Sequence, residues 1–153
     1  MDRFDALRAW AKGSYPQEAA TELLIRAFNG RFAGTGYEWM QTNEDGDPWI
    51  DFESIPSHIG GLSGGEKRFL LLVASLSGDS LVTLGDVVSG LDRDLVNLVL
   101  AAVAHAAGTH EGSEFIELPD GGVSFKRAQS LYPWPGLKPK LRLVEGDGPV
   151  AAK

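Results

Sequence analysis

The fold depends first on the stretch SGGEKRFLLLVASLS, residues 63–77. Its middle, residues 69–74, is apolar on every side, which predicts a helix that is buried in the core. Ser63 is followed three positions later by Glu66, and this spacing matches a capping box, in which each residue accepts a hydrogen bond from the other. We therefore expect a helix over about residues 64–77 that begins at these two side chains.

Capping does not explain the two glycines at the start of this helix. Glycine in a helix costs about 0.8–1.0 kcal/mol relative to alanine. Without side chains at Gly64 and Gly65, another backbone or an anion can approach the free N–H groups at the positive end of the helix dipole. Lys67 and Arg68 add positive charge one turn later. Close backbone packing and contact with a phosphate are both open interpretations of this sequence.

Hydrophobic periodicity predicts three further helices. Residues 2–12 form a short amphipathic pattern. The segment PQEAATELLIRAFN begins at Pro16, which suits a first helical turn, and Gly30 closes it. Residues 92–107 have so wide an apolar face that we expect them to form the central core helix, which Gly108 ends.

Two hairpins and one isolated strand complete the predicted elements. Alternating side chains flank the Asp45-Gly46 dipeptide, and the segment SEFIELPDGGVSFKR, residues 113–127, has the same character. The apolar run LVTL, residues 81–84, predicts a short buried strand. The fold class is therefore α+β, with about four helices and two short β-hairpins in a single domain over residues 1–127. A basic arm rich in proline and glycine, residues 128–153, follows it, and we expect this arm to be extended and to point away from the domain.

Composition restricts the function. The chain has no cysteine, which excludes disulfides, thiolate metal sites and cysteine nucleophiles. The formal net charge of -7 argues against general nucleic-acid binding, although the basic tail can contact a phosphate backbone. The N-terminus lacks the apolar segment of a signal peptide, and no apolar run is long enough for a membrane span. We expect a cytoplasmic, acidic protein without membrane contact.

The heptapeptide LSGGEKR, residues 62–68, resembles the signature motif of ABC-type ATPases, including their chromosome-maintenance and DNA-repair branch. The order that follows is also similar: an apolar helix, the run LVTL where the family has a strand, and SGLD, residues 89–92, which resembles the family's D-loop. This resemblance covers about residues 60–107, less than a third of the chain. It implies that the Ser-Gly-Gly of the motif contacts the terminal phosphate of ATP held by an opposing subunit.

The chain departs from that family in the groups that hold and cleave nucleotide. It contains no G-x-x-x-x-G-K-[ST] loop for a nucleotide's own phosphates. Gly85 and Asp86 stand where the family has its magnesium-linked aspartate and its catalytic glutamate, and no histidine matches the family's switch position. The chain is therefore not expected to hydrolyse ATP alone, and the one nucleotide that the resemblance implies is ATP held by a partner subunit.

Two other catalytic or metal-binding patterns involve the same helix start or the histidines. The segment GLSGG has the spacing of a serine-hydrolase elbow around Ser63, which would need His105 or His110 as its base. His105 and His110 together with Glu111 offer metal-ligand chemistry, but a glycine break separates the histidines. A position in the last helical turn also explains His105, because a cation there is favoured by the helix dipole.

The acidic turn between the first pair of strands imitates a calcium loop. Asn43, Asp45 and Asp47 alternate as in an EF-hand. Pro48 occupies the position that needs glycine, and Ser54 occupies the position that needs the bidentate glutamate. A solvated acidic turn accounts for the same residues.

The sequence favours a non-catalytic interaction or accessory protein of an intracellular assembly, with a protein as its partner. The alternative is a degenerate ABC-like subunit, or a mimic of one, that contacts a partner's nucleotide phosphate in trans through the LSGGE helix start. We assign no catalytic residue and no metal site, and the balance is against an enzyme. Nucleic acid is expected to bind only through the basic tail. The expected phosphate- or partner-binding residues are Ser63, Gly64, Gly65, Glu66, Lys67 and Arg68. The expected tail contacts are Tyr132, Trp134, Lys138 and Lys140.

Overall fold

The structure, a computed structural model, describes residues 1–136 and confirms the α+β fold class. Lys138 and Lys140 lie outside the described residues. The α-helices are α1 (Arg3–Ala11), α2 (Tyr15–Arg26), α3 (Gly64–Ser77), α4 (Leu84–Val88) and α5 (Arg93–Ala106). Two 3-10 helices cover Ala27–Ala33 and Phe52–His58. The strands are β1 (Met40–Thr42), β2 (Pro48–Ile50), β3 (Ser113–Glu117) and β4 (Val123–Arg127).

Side-chain caps fix where four of the helices begin. Asp2, Ser14, Ser63 and Asp92 each accept a hydrogen bond from the backbone N–H three residues later, which satisfies one of the free donors of the first turn. The helix predicted over residues 64–77 is confirmed, and those predicted over residues 2–12 and 92–107 are each one residue shorter at both ends. The second predicted helix is present but ends at Arg26 rather than at Gly30, which lies within the 3-10 helix that follows.

The core lies where α2 packs against α3 and α5. Leu23 and Leu24 of α2 and Phe69 and Leu70 of α3 are fully buried, and Trp39 closes the core from the loop before β1. The expectation that α5 is the central helix is wrong, because α2 packs against more of the other helices than α5 does. The apolar face of α5 extends beyond its contact area, and two side chains on it stay about half exposed, namely Leu100 and Val103.

Both predicted hairpins are confirmed as separate two-stranded antiparallel sheets. In the first, Met40 pairs with Ile50 at the open end of the ladder, and Thr42 pairs with Pro48 beside the turn. In the second, Phe115 pairs with Phe125. The first hairpin packs on α1, whereas the second extends from the end of α5.

The strand predicted for LVTL is wrong. Leu81 is 99% exposed, residues 81–83 belong to no strand, and Leu84 begins α4. A strand needs a neighbour for its backbone hydrogen bonds, and each sheet within residues 1–136 is complete with its two consecutive strands. The strand that the ABC resemblance implies after its signature helix is therefore missing at this position.

The beginning of the C-terminal arm lies on the domain. Trp134 packs against the core, and the guanidinium of Arg26 lies 5.1 Å from the centre of its ring. Arg26 Nη1 also donates to the carbonyl of Pro135 at 3.0 Å, and the Tyr132 hydroxyl donates to Asn97 of α5. These contacts attach the part of the arm before residue 137 to α2 and α5.

The helices have the dimensions of core elements. The two longest within residues 1–136, α3 and α5, have 14 residues each. None of the helices in this part of the chain has the length and apolar character that crossing a membrane requires.

Candidate functional site

The start of α3 contains the predicted capping box. Ser63 Oγ accepts from the N–H of Glu66 at 3.3 Å, and Glu66 Oε1 accepts from the N–H of Ser63 at 3.0 Å. The other oxygen of Glu66 pairs with Arg31 Nη1 at 2.7 Å. The hydrogen bonds from Ser63 and the charge of Arg31 lower the pKa of Glu66, so this carboxylate is ionised at neutral pH. A negative charge, balanced by Arg31, therefore lies beside the helix start.

The glycines leave the same helix start open. Gly64 is exposed, and a β-carbon built at Gly65 would meet nothing within 4 Å apart from its chain neighbours and its own helix. Within residues 1–136, no hydrogen bond engages the N–H of either glycine. The interpretation in which Gly65 allows another segment of this domain to pack closely is therefore wrong for the described part of the chain.

Arg68 joins the LSGG turn to the SGLD loop. A β-carbon at Gly64 would lie 3.3 Å from Arg68 Nη1, and a β-carbon at Gly90 would lie 2.9 Å from Arg68 Nη2. Gly90 has a φ of +82°, a conformation that favours glycine. Arg68 Nε is buried and has no hydrogen-bond partner within residues 1–136. The two motifs that carry the family resemblance thus meet at one guanidinium, while Asp92 of SGLD caps α5.

The structure supplies no base to Ser63. His105 is hydrogen-bonded to Glu18, His110 stacks on His105, and His58 contacts the carbonyl of Ser54. None of the three histidines is hydrogen-bonded to Ser63 in the described chain, so the serine-hydrolase interpretation lacks its required contact.

The acidic turn has a structural explanation. Asn43 Oδ1 accepts from the N–H groups of Asp45 and Asp47 at 3.0 and 2.8 Å. The side chain that would begin a calcium loop therefore shapes the β1–β2 turn instead.

A second cluster of polar side chains lies between α2 and the end of α5. His105 Nε2 is 2.9 Å from Glu18 Oε1, and the rings of His105 and His110 stack with their centres 3.9 Å apart and their planes 7° from parallel. Sequence reasoning paired the histidines with Glu111, which is 4.0 Å from His110, and missed Glu18. No local spacing connects Glu18 to His105 across 87 residues.

Glu18 is held in its ionised form. Burial alone would raise the pKa of its carboxyl group, but the N–H of Gly13, the hydrogen bond with His105 and the two nearby imidazoles outweigh burial and lower it. Glu18 and His105 face a cleft of about 330 Å³ that Trp134 also lines.

The β3–β4 hairpin exposes a row of apolar side chains. Phe115, Val123 and Phe125 are 74%, 57% and 66% exposed, and the strand register places all three on one side of the hairpin. The two phenylalanine rings lie 4.7 Å apart. We call these three side chains the aromatic face.

Comparisons with protein-family models, with curated protein sequences and with solved structures gave no significant match to this chain.

Proposed function

We propose that this chain is a non-catalytic interaction protein that binds a protein partner through the aromatic face of its β3–β4 hairpin. The observation that carries this proposal is the exposure of Phe115 and Phe125 on a hairpin that no helix within residues 1–136 covers. A two-stranded hairpin is at best marginally stable in water on its own. Exposed aromatic side chains in a contiguous group are typical of interfaces.

The geometry of the hairpin favours an extended peptide segment as the partner's binding element. Both outer edges of this two-stranded sheet lack a neighbouring strand among residues 1–136, so a third strand can pair with either. A segment with apolar side chains at alternate positions would cover the aromatic face while its backbone pairs with β3 or β4. Glu114 and Lys126 pair on the opposite side of the hairpin and stay solvated there.

Crosslinking in a native lysate, followed by capture of the tagged chain, tests this proposal. The wild-type chain should retain a protein that the Phe115→Ser/Phe125→Ser variant loses. Leu81→Ser is the control, because Leu81 is even more exposed than either phenylalanine and lies far along the chain, between α3 and α4. Circular dichroism should show that all three proteins are folded. Equal retention by the hairpin variant and the control would refute the proposal.

A second candidate function uses the start of α3. We infer that the open N–H groups of Gly64 and Gly65, with Arg68 behind them, can contact the terminal phosphate of ATP held by a partner subunit. Arg68 supports this inference because its guanidinium lies between LSGG and SGLD, and its Nε lacks a partner in the described chain. The missing strand after α3 and the carboxylate of Glu66 count against it.

A nucleotide-dependent pull-down separates the two functions. If α3 contacts ATP in trans, a partner that carries a phosphate-binding loop should be retained with Mg-ATP, released with Mg-ADP and lost in Gly65→Trp. Gly136→Trp is the control, since a β-carbon there also meets nothing within 4 Å. If the partner is retained equally with Mg-ATP and Mg-ADP, and also by the Gly65→Trp variant, this second function is excluded. The hairpin proposal is not affected by that result.

A further inference from the structure

We propose that Glu18, His105 and His110 form a binding site for a divalent first-row transition-metal ion, with Zn²⁺ as the best-fitting ion. The three residues come from the first turn of α2, the last turn of α5 and the turn that follows α5. One ligand atom from each lies within 4.8 Å of the other two. This site is separate from the start of α3 and from the aromatic face.

The distances suit a metal after a small contraction. Three atoms that lie within 4.8 Å of one another fit inside a circle of about 2.8 Å radius. Zinc binds histidine nitrogen and carboxylate oxygen at about 2.0–2.2 Å, so each atom would move inward by less than about 1 Å. The two parallel imidazoles must also turn their nitrogens toward a common point. Histidine χ2 angles are broadly distributed, which permits that rotation.

One polar atom of the cluster lacks the hydrogen bond that a buried polar atom normally makes. His110 Nδ1 is buried and has no hydrogen-bond partner in the described part of the chain, although buried polar atoms are normally paired. The rings of Tyr15 and His110 make a T-shaped contact, with their centres 4.7 Å apart. A bound metal ion would turn the ring of His110, and one of the ring nitrogens would then serve as a metal ligand.

The charges favour a cation at the carboxylate. Glu18 offers a carboxylate, and its second oxygen accepts from the N–H of Gly13 at 3.0 Å, which orients the group as an outer hydrogen bond orients a metal ligand. Arg8 and Arg26 line the adjacent cleft, and both are paired with Glu22. Lys12 also lines the cleft, and it has no ion pair within residues 1–136.

The ligand set indicates which ion binds and how. Two imidazoles and one carboxylate suit Zn²⁺ and its neighbours in the first transition row, whereas Mg²⁺ and Ca²⁺ prefer sites made of oxygen. Three protein ligands leave a fourth tetrahedral position to water, which reaches Glu18 and His105 through the cleft.

Calorimetric titration of the untagged chain with ZnCl₂ tests the site. We expect saturable binding of one ion, and MgCl₂ should give none. His105→Gln and His110→Gln should each weaken Zn²⁺ binding by at least about tenfold, a loss that changes around metal ligands alone can produce. His58→Gln is the matched control, because His58 is the remaining histidine and is exposed on the second 3-10 helix.

Nitrogen NMR of the imidazole rings during the same titration provides a measurement on the unmodified chain. The signals of His105 and His110 should shift together as Zn²⁺ is added, and those of His58 should stay unchanged. The absence of binding at millimolar Zn²⁺ would overturn the proposal. It would also be overturned if all three histidines shifted equally, or if both glutamine variants bound as tightly as the wild type.

Discussion

At the residue scale, Gly65 contributes nothing visible to folding. It lies in the first turn of α3, a β-carbon there would meet nothing within 4 Å, and its φ is not in the left-handed region. We predict that Gly65→Ala stabilises the domain by about 0.4–1 kcal/mol, because alanine has fewer conformations to lose from the unfolded chain. Urea denaturation of the two proteins measures this difference.

Gly90→Ala is the matched contrast to that substitution. Gly90 has a φ of +82°, and its β-carbon would lie 2.9 Å from Arg68. Alanine there should therefore destabilise the domain by more than Gly65→Ala stabilises it. If Gly65→Ala were destabilising as well, Gly65 would have a structural role, and its openness would no longer support contact with a partner.

Local chemistry made the residue scale the most predictable. Ser63 and Glu66 lie three positions apart in the sequence, and a capping box requires only that spacing and a helix. Arg68 shows where local reasoning stops. Its charge was expected to serve the helix start, but its contact with Gly90 depends on how α4 returns the chain to α3.

At the element scale, Glu22 links α1 to α2. Its carboxylate pairs with Arg8 of α1 and with Arg26 one turn further along α2, at 2.6 Å from Arg26 Nε. Burial alone would raise the pKa of Glu22, but the hydrogen bonds and charges of the two arginines lower it below its ordinary value of 4.5. A carboxylate of this kind contributes stability above its unfolded pKa, and that contribution is lost as the pH falls through the folded pKa.

We therefore predict that Glu22→Gln lowers the free energy of unfolding at pH 7 by about 1 kcal/mol or less, since both arginines are partly exposed. The loss should begin to shrink as the pH falls below the ordinary value of 4.5, where Glu22 of the unfolded chain takes up a proton, and it should vanish once the pH is below the lowered pKa of the folded protein. Urea titrations across this range measure the difference. Glu44→Gln, at an exposed position of the β1–β2 turn, is the control. Curves for Glu22→Gln and wild type that stay parallel down to acidic pH would contradict this account.

Helices and strands were predictable from the sequence where the residues at their ends show where they begin and end. The four predicted helices have capping side chains, and both hairpins have turn residues between alternating strands. The LVTL run has neither, and four residues of which three are apolar do not distinguish a strand from the approach to a helix. The decisive fact was the absence of a neighbouring strand in the described chain, which is a property of the tertiary structure.

At the scale of the whole molecule, contacts between distant segments were beyond sequence reasoning. Glu18 and His105 are 87 residues apart, and they meet because α2 packs on α5. The arm was expected to extend away from the domain, yet its aromatic anchor is used within the same chain. Trp134 lies against Arg26 and His105 and lines the cleft beside the proposed metal site.

The contacts of Trp134 with Arg26 and the core lead to a prediction about the stability of the whole domain. Truncation in Trp134→Ala removes the cation–π contact with Arg26 and part of the apolar cover of α2 and α5, so it should lower the free energy of unfolding by roughly 1–2 kcal/mol. Leu131→Ala is the control, because Leu131 is 82% exposed and should change stability little. Urea denaturation of both variants gives the comparison. Equal stabilities would mean that this segment does not stay on the domain in solution, and Trp134 would then be free to serve as the partner contact that the sequence predicts.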